Sequence, residues 1–152
     1  MTAKPETVTR LIREVRTCFN QLRSLAENLN ADLDVNPSMR AVMESLARDA
    51  HRTVPDLAKE RGTSRQHVQK VINGLLDQEL VKASENPEHK RSVLYLLTSK
   101  GDQVFAEIRR REAAPMRALS EALSQADIEQ TSDVLSRMNQ TLDHLINQGE
   151  ST

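Results

Sequence analysis

A single cysteine, Cys18, occurs in 152 residues, so no internal disulfide can form, and no C-x-x-C pair is present to hold a metal. Long hydrophobic runs are also missing. The longest apolar stretches, such as Val93 to Leu97, fall far short of the roughly 18 residues a membrane span needs, and Met1 to Glu6 holds no apolar signal core. A cytoplasmic chain with no membrane partner is the expectation. Catalytic signatures are absent too: there is no G-x-S-x-G, no phosphate loop and no H-E-x-x-H. The four histidines, His51, His67, His89 and His144, are scattered rather than set at ligand spacing. These absences point away from an enzyme and imply neither cofactor nor metal. No internal repeat, low-complexity tract or linker breaks the chain.

An excess of positive charge is lacking as well, since the formal net charge is −1, but the distribution is uneven. Between Arg61 and Arg91 stand six Lys/Arg against four Asp/Glu, whereas from Glu121 onward five acidic residues upstream of Glu150 face a single Arg137. One stretch is suited to phosphate and the other is not. Hydrophobic residues at 38% and charged residues at 28% give an ordinary balance for a folded chain, and the length fits one domain of modest core.

Residues 7 to 29 place Val8, Leu11, Ile12, Val15, Phe19, Leu22, Leu25 and Leu29 at three- and four-residue steps, which predicts a long helix with one apolar stripe. Asn36-Pro37 supplies a cap and a proline at the first helical position for a second helix through Met39, Val42, Met43 and Leu46. Thr53 caps a short third helix that Gly62 ends. Thr63-Ser64-Arg65-Gln66 has the spacing of a capping box and opens a fourth. Val81 to Ala83 and Ser92 to Leu97 read as a two-stranded hairpin around a polar tip, Glu85 to Arg91. Thr98 caps a fifth helix, which Pro115 is expected to bend or end, and Ser124-Gln125-Ala126-Asp127 opens a sixth.

A short helix, a tight turn and a capped second helix make a helix-turn-helix. On that second helix Val68, Val71, Ile72 and Leu75 share one side, while Gln66, Gln69, Lys70 and Asn73 occupy the other and Ser64 and Arg65 stand at its first turn. Gln and Asn can donate and accept together at an adenine edge, Arg can grip guanine twice, and Lys and Ser suit phosphate. A polar stripe alone is more often a solvated face. The hairpin shifts the balance, because it puts His89, Lys90 and Arg91 at a tip able to enter the minor groove beside the helix.

The segments Leu75-Leu76-Asp77-Gln78-Glu79-Leu80-Val81, Asn86-Pro87-Glu88-His89-Lys90-Arg91 and Leu94-Tyr95-Leu96-Leu97-Thr98-Ser99-Lys100-Gly101 resemble the MarR family pattern. That pattern runs L-x-x-x-G-L-V, then D-P-x-D-[RK]-R in the wing, then L-T-x-x-G. The resemblance implies a mainly α, α+β fold: a winged helix-turn-helix lobe at about 36–100, and dimerisation helices at 7–30 and 101–148 of a single domain spanning 1–152. It further implies a bacterial transcription regulator, in the usual case a repressor, whose homodimer binds a pseudo-palindrome in double-stranded DNA. Carried over, Ser64 to Lys70 match the recognition helix and Lys90 and Arg91 the basic wing residues; with Asn73 from the polar face of the helix, the expected DNA-binding residues are Ser64, Arg65, Gln66, Gln69, Lys70, Asn73, Lys90 and Arg91. Two positions depart from the pattern: Glu79 replaces the helix-ending glycine, and His89 replaces the aspartate that commonly pairs with the basic wing residues.

The apolar stripes of the first and sixth helices exceed what one lobe could cover, which agrees with a two-fold partner. Many relatives bind small aromatic acids between dimer helices and lobe; His51 with Arg52, or Arg16 with Arg23, are candidate anion partners beside the plainer reading as surface residues. Cys18 is similarly placed to the sensing cysteine of the peroxide-responsive branch and is a candidate redox residue, but that branch's companion tyrosines are absent, and a buried, inert thiol is the alternative.

Overall fold

The structure, a computed structural model, describes residues 1–149. The elements run α1 (Pro5–Asn30), a 3-10 turn (Ala31–Leu33), α2 (Pro37–Arg48), α3 (Val54–Arg61), α4 (Arg65–Asp77), β1 (Val81–Ser84), β2 (Leu94–Leu97), α5 (Ser99–Ala122) and α6 (Gln125–Gly149). Two compact units result, Met1–Arg109 and a second that begins at Arg110. No helix among the described residues is long and apolar enough to cross a membrane.

The first unit is a winged helix. Its core is built from the inward faces of α2, α3 and α4, with Met43, Leu46, Leu57, Ile72 and Leu75 essentially inaccessible, joined by Leu80 and by Phe105 and Ile108 of α5. The inward side of α4 is the one expected, since Val68, Val71, Ile72 and Leu75 are all buried. β1 and β2 pair antiparallel with Val81 opposite Leu97 and Ala83 opposite Tyr95. β1 runs one residue further than the sequence reading and β2 begins two residues later, and one residue that the reading left in a loop joins the sheet: Arg52 bridges antiparallel to Tyr95 on the far side of β2.

Helix ends explain how tightly these pieces are joined. Asn36 caps α2 by accepting the Met39 N–H at 2.9 Å, and Thr53 caps α3 in a true capping box with Asp56. The box expected at Thr63 does not form. Gly62 takes the left-handed conformation at φ 60°, and the Thr63 N–H returns to the Ala58 carbonyl at 3.0 Å, closing α3. With Thr63 committed to the preceding helix, the cap of α4 passes to Ser64, whose hydroxyl accepts the His67 N–H at 3.1 Å.

The same closure recurs at the end of α4 without glycine. Glu79 itself adopts φ 59°, its N–H donates to the Leu76 carbonyl, and the Leu80 N–H donates to the Leu75 carbonyl, each at 2.9 Å. Thr98 and Lys100 then fasten this corner, donating from the hydroxyl to the Glu79 carbonyl and from the ammonium to the Gln78 carbonyl. Thr98 also caps α5 by accepting the Gly101 N–H at 3.0 Å. Gly101 is required there, because a Cβ would lie 2.0 Å from the Leu80 carbonyl oxygen.

In the second unit Ser124 caps α6 as expected, accepting the Asp127 N–H at 3.1 Å. Pro115 does not end α5; the helix continues through it to Ala122. A proline removes one backbone bond and crowds the carbonyl four residues earlier, which a helix of 24 residues absorbs locally.

Candidate nucleic-acid interface

The outward face of α4 carries the predicted polar set. Ser64, Arg65, Gln66, Lys70 and Asn73 are exposed, and Gln69 is half-buried. Ser64 is occupied as the helix cap, which leaves its hydroxyl hydrogen available to an acceptor. The Gln69 amide donates to Asn73 Oδ1 at 3.0 Å, so these two side chains form a linked pair along the helix. Arg65, at the first helical position, stands where unpaired backbone N–H groups and the positive end of the helix dipole add to its charge.

The wing closes through its own turns. Asn86 Oδ1 accepts the Glu88 N–H at 3.1 Å, the His89 N–H reaches the Asn86 carbonyl at 3.3 Å, and the Ser92 N–H reaches the His89 carbonyl at 3.1 Å. Asn86 thus shapes the tip, in which His89, Lys90 and Arg91 are all exposed. Among the described residues neither Lys90 nor Arg91 has an ion pair, consistent with histidine in place of the usual aspartate.

The two cationic elements meet at one groove. Arg65 and Gln69 of α4, Arg91 and Ser92 of the wing, and Thr53 and Tyr95 line a concavity of about 350 Å³. Lys90 does not line it and contributes instead, with Ser84, Asn86 and Pro87, to a hollow of about 750 Å³ formed by the wing itself. Thr53 was legible in the sequence only as a cap, and Tyr95 only as a strand residue. Their place in the groove follows from the Arg52–Tyr95 bridge, for which the sequence carries no local signal.

A third cavity, of about 460 Å³, lies between α1, the N-terminal end of α2 and the edge of α4, with Phe19, Arg23, Pro37, Arg61, His67 and Val71 among its walls. Arg61 donates to the Ala41 carbonyl at 3.2 Å. Its partial burial pushes the guanidinium pKa below the ordinary value; Glu44 opposes the shift, while Arg40 and Arg48 add to it. Of the anion partners anticipated from sequence, Arg23 is at this cavity, where it pairs with Glu27 at 3.1 Å. Arg52 is not among the residues that line the cavity and is bound to Glu60 and Asp49 with its side chain only 18% exposed, whereas the Arg23 side chain is 60% exposed. Cys18 is exposed on α1 rather than buried, next to Phe19, while the only tyrosine is buried in the wing sheet.

Comparison with known proteins agrees with this architecture. Residues 33–92, from the 3-10 turn to the wing tip, match the model of the MarR family. The chain is 32% identical over 131 residues to the uncharacterized protein Rv2011c of Mycobacterium tuberculosis, covering 86% of this chain and 91% of that one. Among solved structures it is similar to the transcriptional regulator SlyA, with a TM-score of 0.78 at 19% identity over 88% of this chain and 94% of that one. It is also similar to a mutant of Escherichia coli MarR complexed with operator DNA, with a TM-score of 0.76 at 18% identity over 90% and 99% of the two chains. By sequence match and by its winged-helix architecture, this chain belongs to the MarR family of winged helix-turn-helix transcription regulators.

Proposed function

We propose that the protein is a transcription repressor that binds a pseudo-palindromic duplex as a homodimer and releases it when an acidic aromatic ligand binds. The observation that carries the DNA-binding part is the convergence of Arg65, Gln69 and Arg91 on one groove, so that a helix fit for the major groove and a cationic wing address the same stretch of duplex. Ser64, Gln66, Lys70, Asn73 and Lys90 extend this surface, Gln66, Gln69 and Asn73 toward base edges and the cations toward phosphate. The E. coli MarR mutant complexed with operator DNA has the same fold and supports the reading.

Dimerisation is supported by apolar surface without cover on this chain: Phe19 and Leu22 of α1, Met116 and Leu119 of α5, and Leu145 and Ile146 of α6 are between 43% and 64% exposed. Stable monomers rarely leave so much of this kind of surface in water. The ligand part rests on the cavity at Phe19, whose volume suits a small molecule and whose Arg23 and Arg61 can meet a carboxylate beside an aromatic ring. A Staphylococcus aureus MarR crystallised with salicylate and kanamycin shares the fold, with a TM-score of 0.75 at 16% identity. Because His67, Val68 and Val71 of α4 form one wall, a ligand there touches the recognition helix directly.

The test is a titration of mixed-sequence duplex DNA at several salt concentrations, alongside sedimentation equilibrium of the free protein. A dimer whose affinity falls steeply with salt is expected, and Arg91→Ala should reduce both the affinity and the slope, by about one unit of the log–log plot. A monomer, or an affinity indifferent to salt, would contradict the reading.

A further inference from the structure

Arg52 lies outside the polar face of α4 and outside the wing tip, yet it connects the two. Its backbone N–H donates to the Tyr95 carbonyl at 3.1 Å and its carbonyl accepts the Tyr95 N–H at 2.9 Å, making it a one-residue third strand beside β2. Its side chain is only 18% exposed and donates to Glu60 Oε2 at 2.9 Å, with Asp49 at 3.5 Å. Glu60, on α3, also accepts from the Ser45 hydroxyl at 3.3 Å and pairs with Arg48, both on α2. Ser45 is buried and shares its hydroxyl proton between Glu60 and the Ala41 carbonyl, each at 3.3 Å, so the partly exposed carboxylate rests against the edge of the helix-turn-helix core. One acid therefore ties the outer edge of the wing sheet to the two helices against which α4 packs.

The arrangement resembles a brace. β2 is held by β1 on one side and by Arg52 on the other, and β2 leads back through Val93 and Ser92 to Arg91. The base of the sheet is packed into the core by Val81, Tyr95 and Leu97 and fastened at the Glu79–Thr98 corner, whereas the tip is shaped by its own turns. A planar guanidinium held by two carboxylates, with its backbone in the sheet, resists rotation far better than one flexible contact.

We infer that the Arg52–Glu60 pair is a positioning device for DNA binding: it sets the separation between the wing cation Arg91 and the recognition residues Arg65 and Gln69. Neither partner touches DNA in this account, because the Arg52 fork is already filled and Glu60 would repel phosphate. The inference rests on the proposed wing contact to DNA. It predicts a sign opposite to bulk electrostatics. Removing an acid from a DNA-binding lobe, and freeing an arginine beside it, should raise affinity by charge alone. Loss of the brace should instead lower it.

The experiment is a double-mutant cycle of Glu60→Gln, which keeps the shape and removes the charge, with Arg91→Ala, read as affinity and salt slope on mixed-sequence duplex DNA. Expected is a roughly 3- to 10-fold loss of affinity for Glu60→Gln and a salt slope close to that of Arg91→Ala, as for the loss of about one phosphate contact. No further loss is expected when the two are combined. If Glu60→Gln proves unfolded by its thermal transition, Arg52→Lys keeps charge and backbone pairing but not the fork, and gives the same cycle with smaller amplitude. Equal or higher affinity for the folded single variant, or a loss that adds fully to that of Arg91→Ala, would overturn the brace alone. An Arg91→Ala variant indistinguishable from wild type would overturn the wing contact and the brace with it.

Discussion

Replacing Glu79 by glycine is expected to stabilise the protein by about 0.5–1 kcal/mol, the difference between two backbone effects. A residue with a Cβ held at φ 59° carries a left-handed cost of roughly 1–2 kcal/mol. Glycine relieves that cost but adds freedom to the unfolded chain, which returns about 0.4–1 kcal/mol. None of the bonds that close α4, nor the one accepted from Thr98, uses a side-chain atom of residue 79, so they survive the substitution. The exposed Glu79 side chain takes part in none of them. Urea unfolding followed by circular dichroism at fixed protein concentration should show a higher midpoint with unchanged slope, and the thermal midpoint should rise by about 1–4 °C. Glu79→Ala keeps the strain and serves as the control, with a change within about 0.5 kcal/mol. Glycine no better than wild type, or alanine as good as glycine, would refute the attribution to backbone strain.

Gly101→Ala should be destabilising by roughly 3 kcal/mol or more, since its Cβ would meet a backbone carbonyl that has no room to move; calorimetry would detect it. Truncation of Ile72, fully buried on the inward face of α4, to alanine is expected to cost about 2–5 kcal/mol in urea unfolding. Asn36→Ala should cost about 1 kcal/mol by loss of the α2 cap, and Asn36→Asp should recover most of it. Gln69→Ala should alter preference at one base position by about 1–3 kcal/mol while leaving the salt slope unchanged, in competition binding with single-base variants of a selected site.

The helices were legible in the sequence because their signals are local: an apolar stripe at helical spacing, a capping residue, and glycine or proline at an end. Asn36-Pro37, Thr53 and Gly62 all act as read. The errors arose where two elements compete for one residue. Thr63 has the right spacing for a capping box, but its N–H is claimed by the end of α3, and the cap moves by one position. Glu79 shows the converse, in which tertiary fastening by Thr98 and Lys100 holds a non-glycine residue in a left-handed turn that its own propensity opposes. Of the site, the polar face of α4 and the wing cations could be found from spacing alone. The groove that joins Arg65, Gln69 and Arg91 could not, because it depends on Arg52 pairing with a strand residue more than forty positions away.

The most direct test is selection of binding sites from a random duplex pool by the purified protein, with the DNA retained at moderate salt then sequenced. The account predicts enrichment of a pseudo-palindrome whose half-sites lie about ten base pairs apart, bound by a dimer. A pool left unenriched, or enriched only in a single unpaired half-site, would contradict a two-fold DNA-binding regulator.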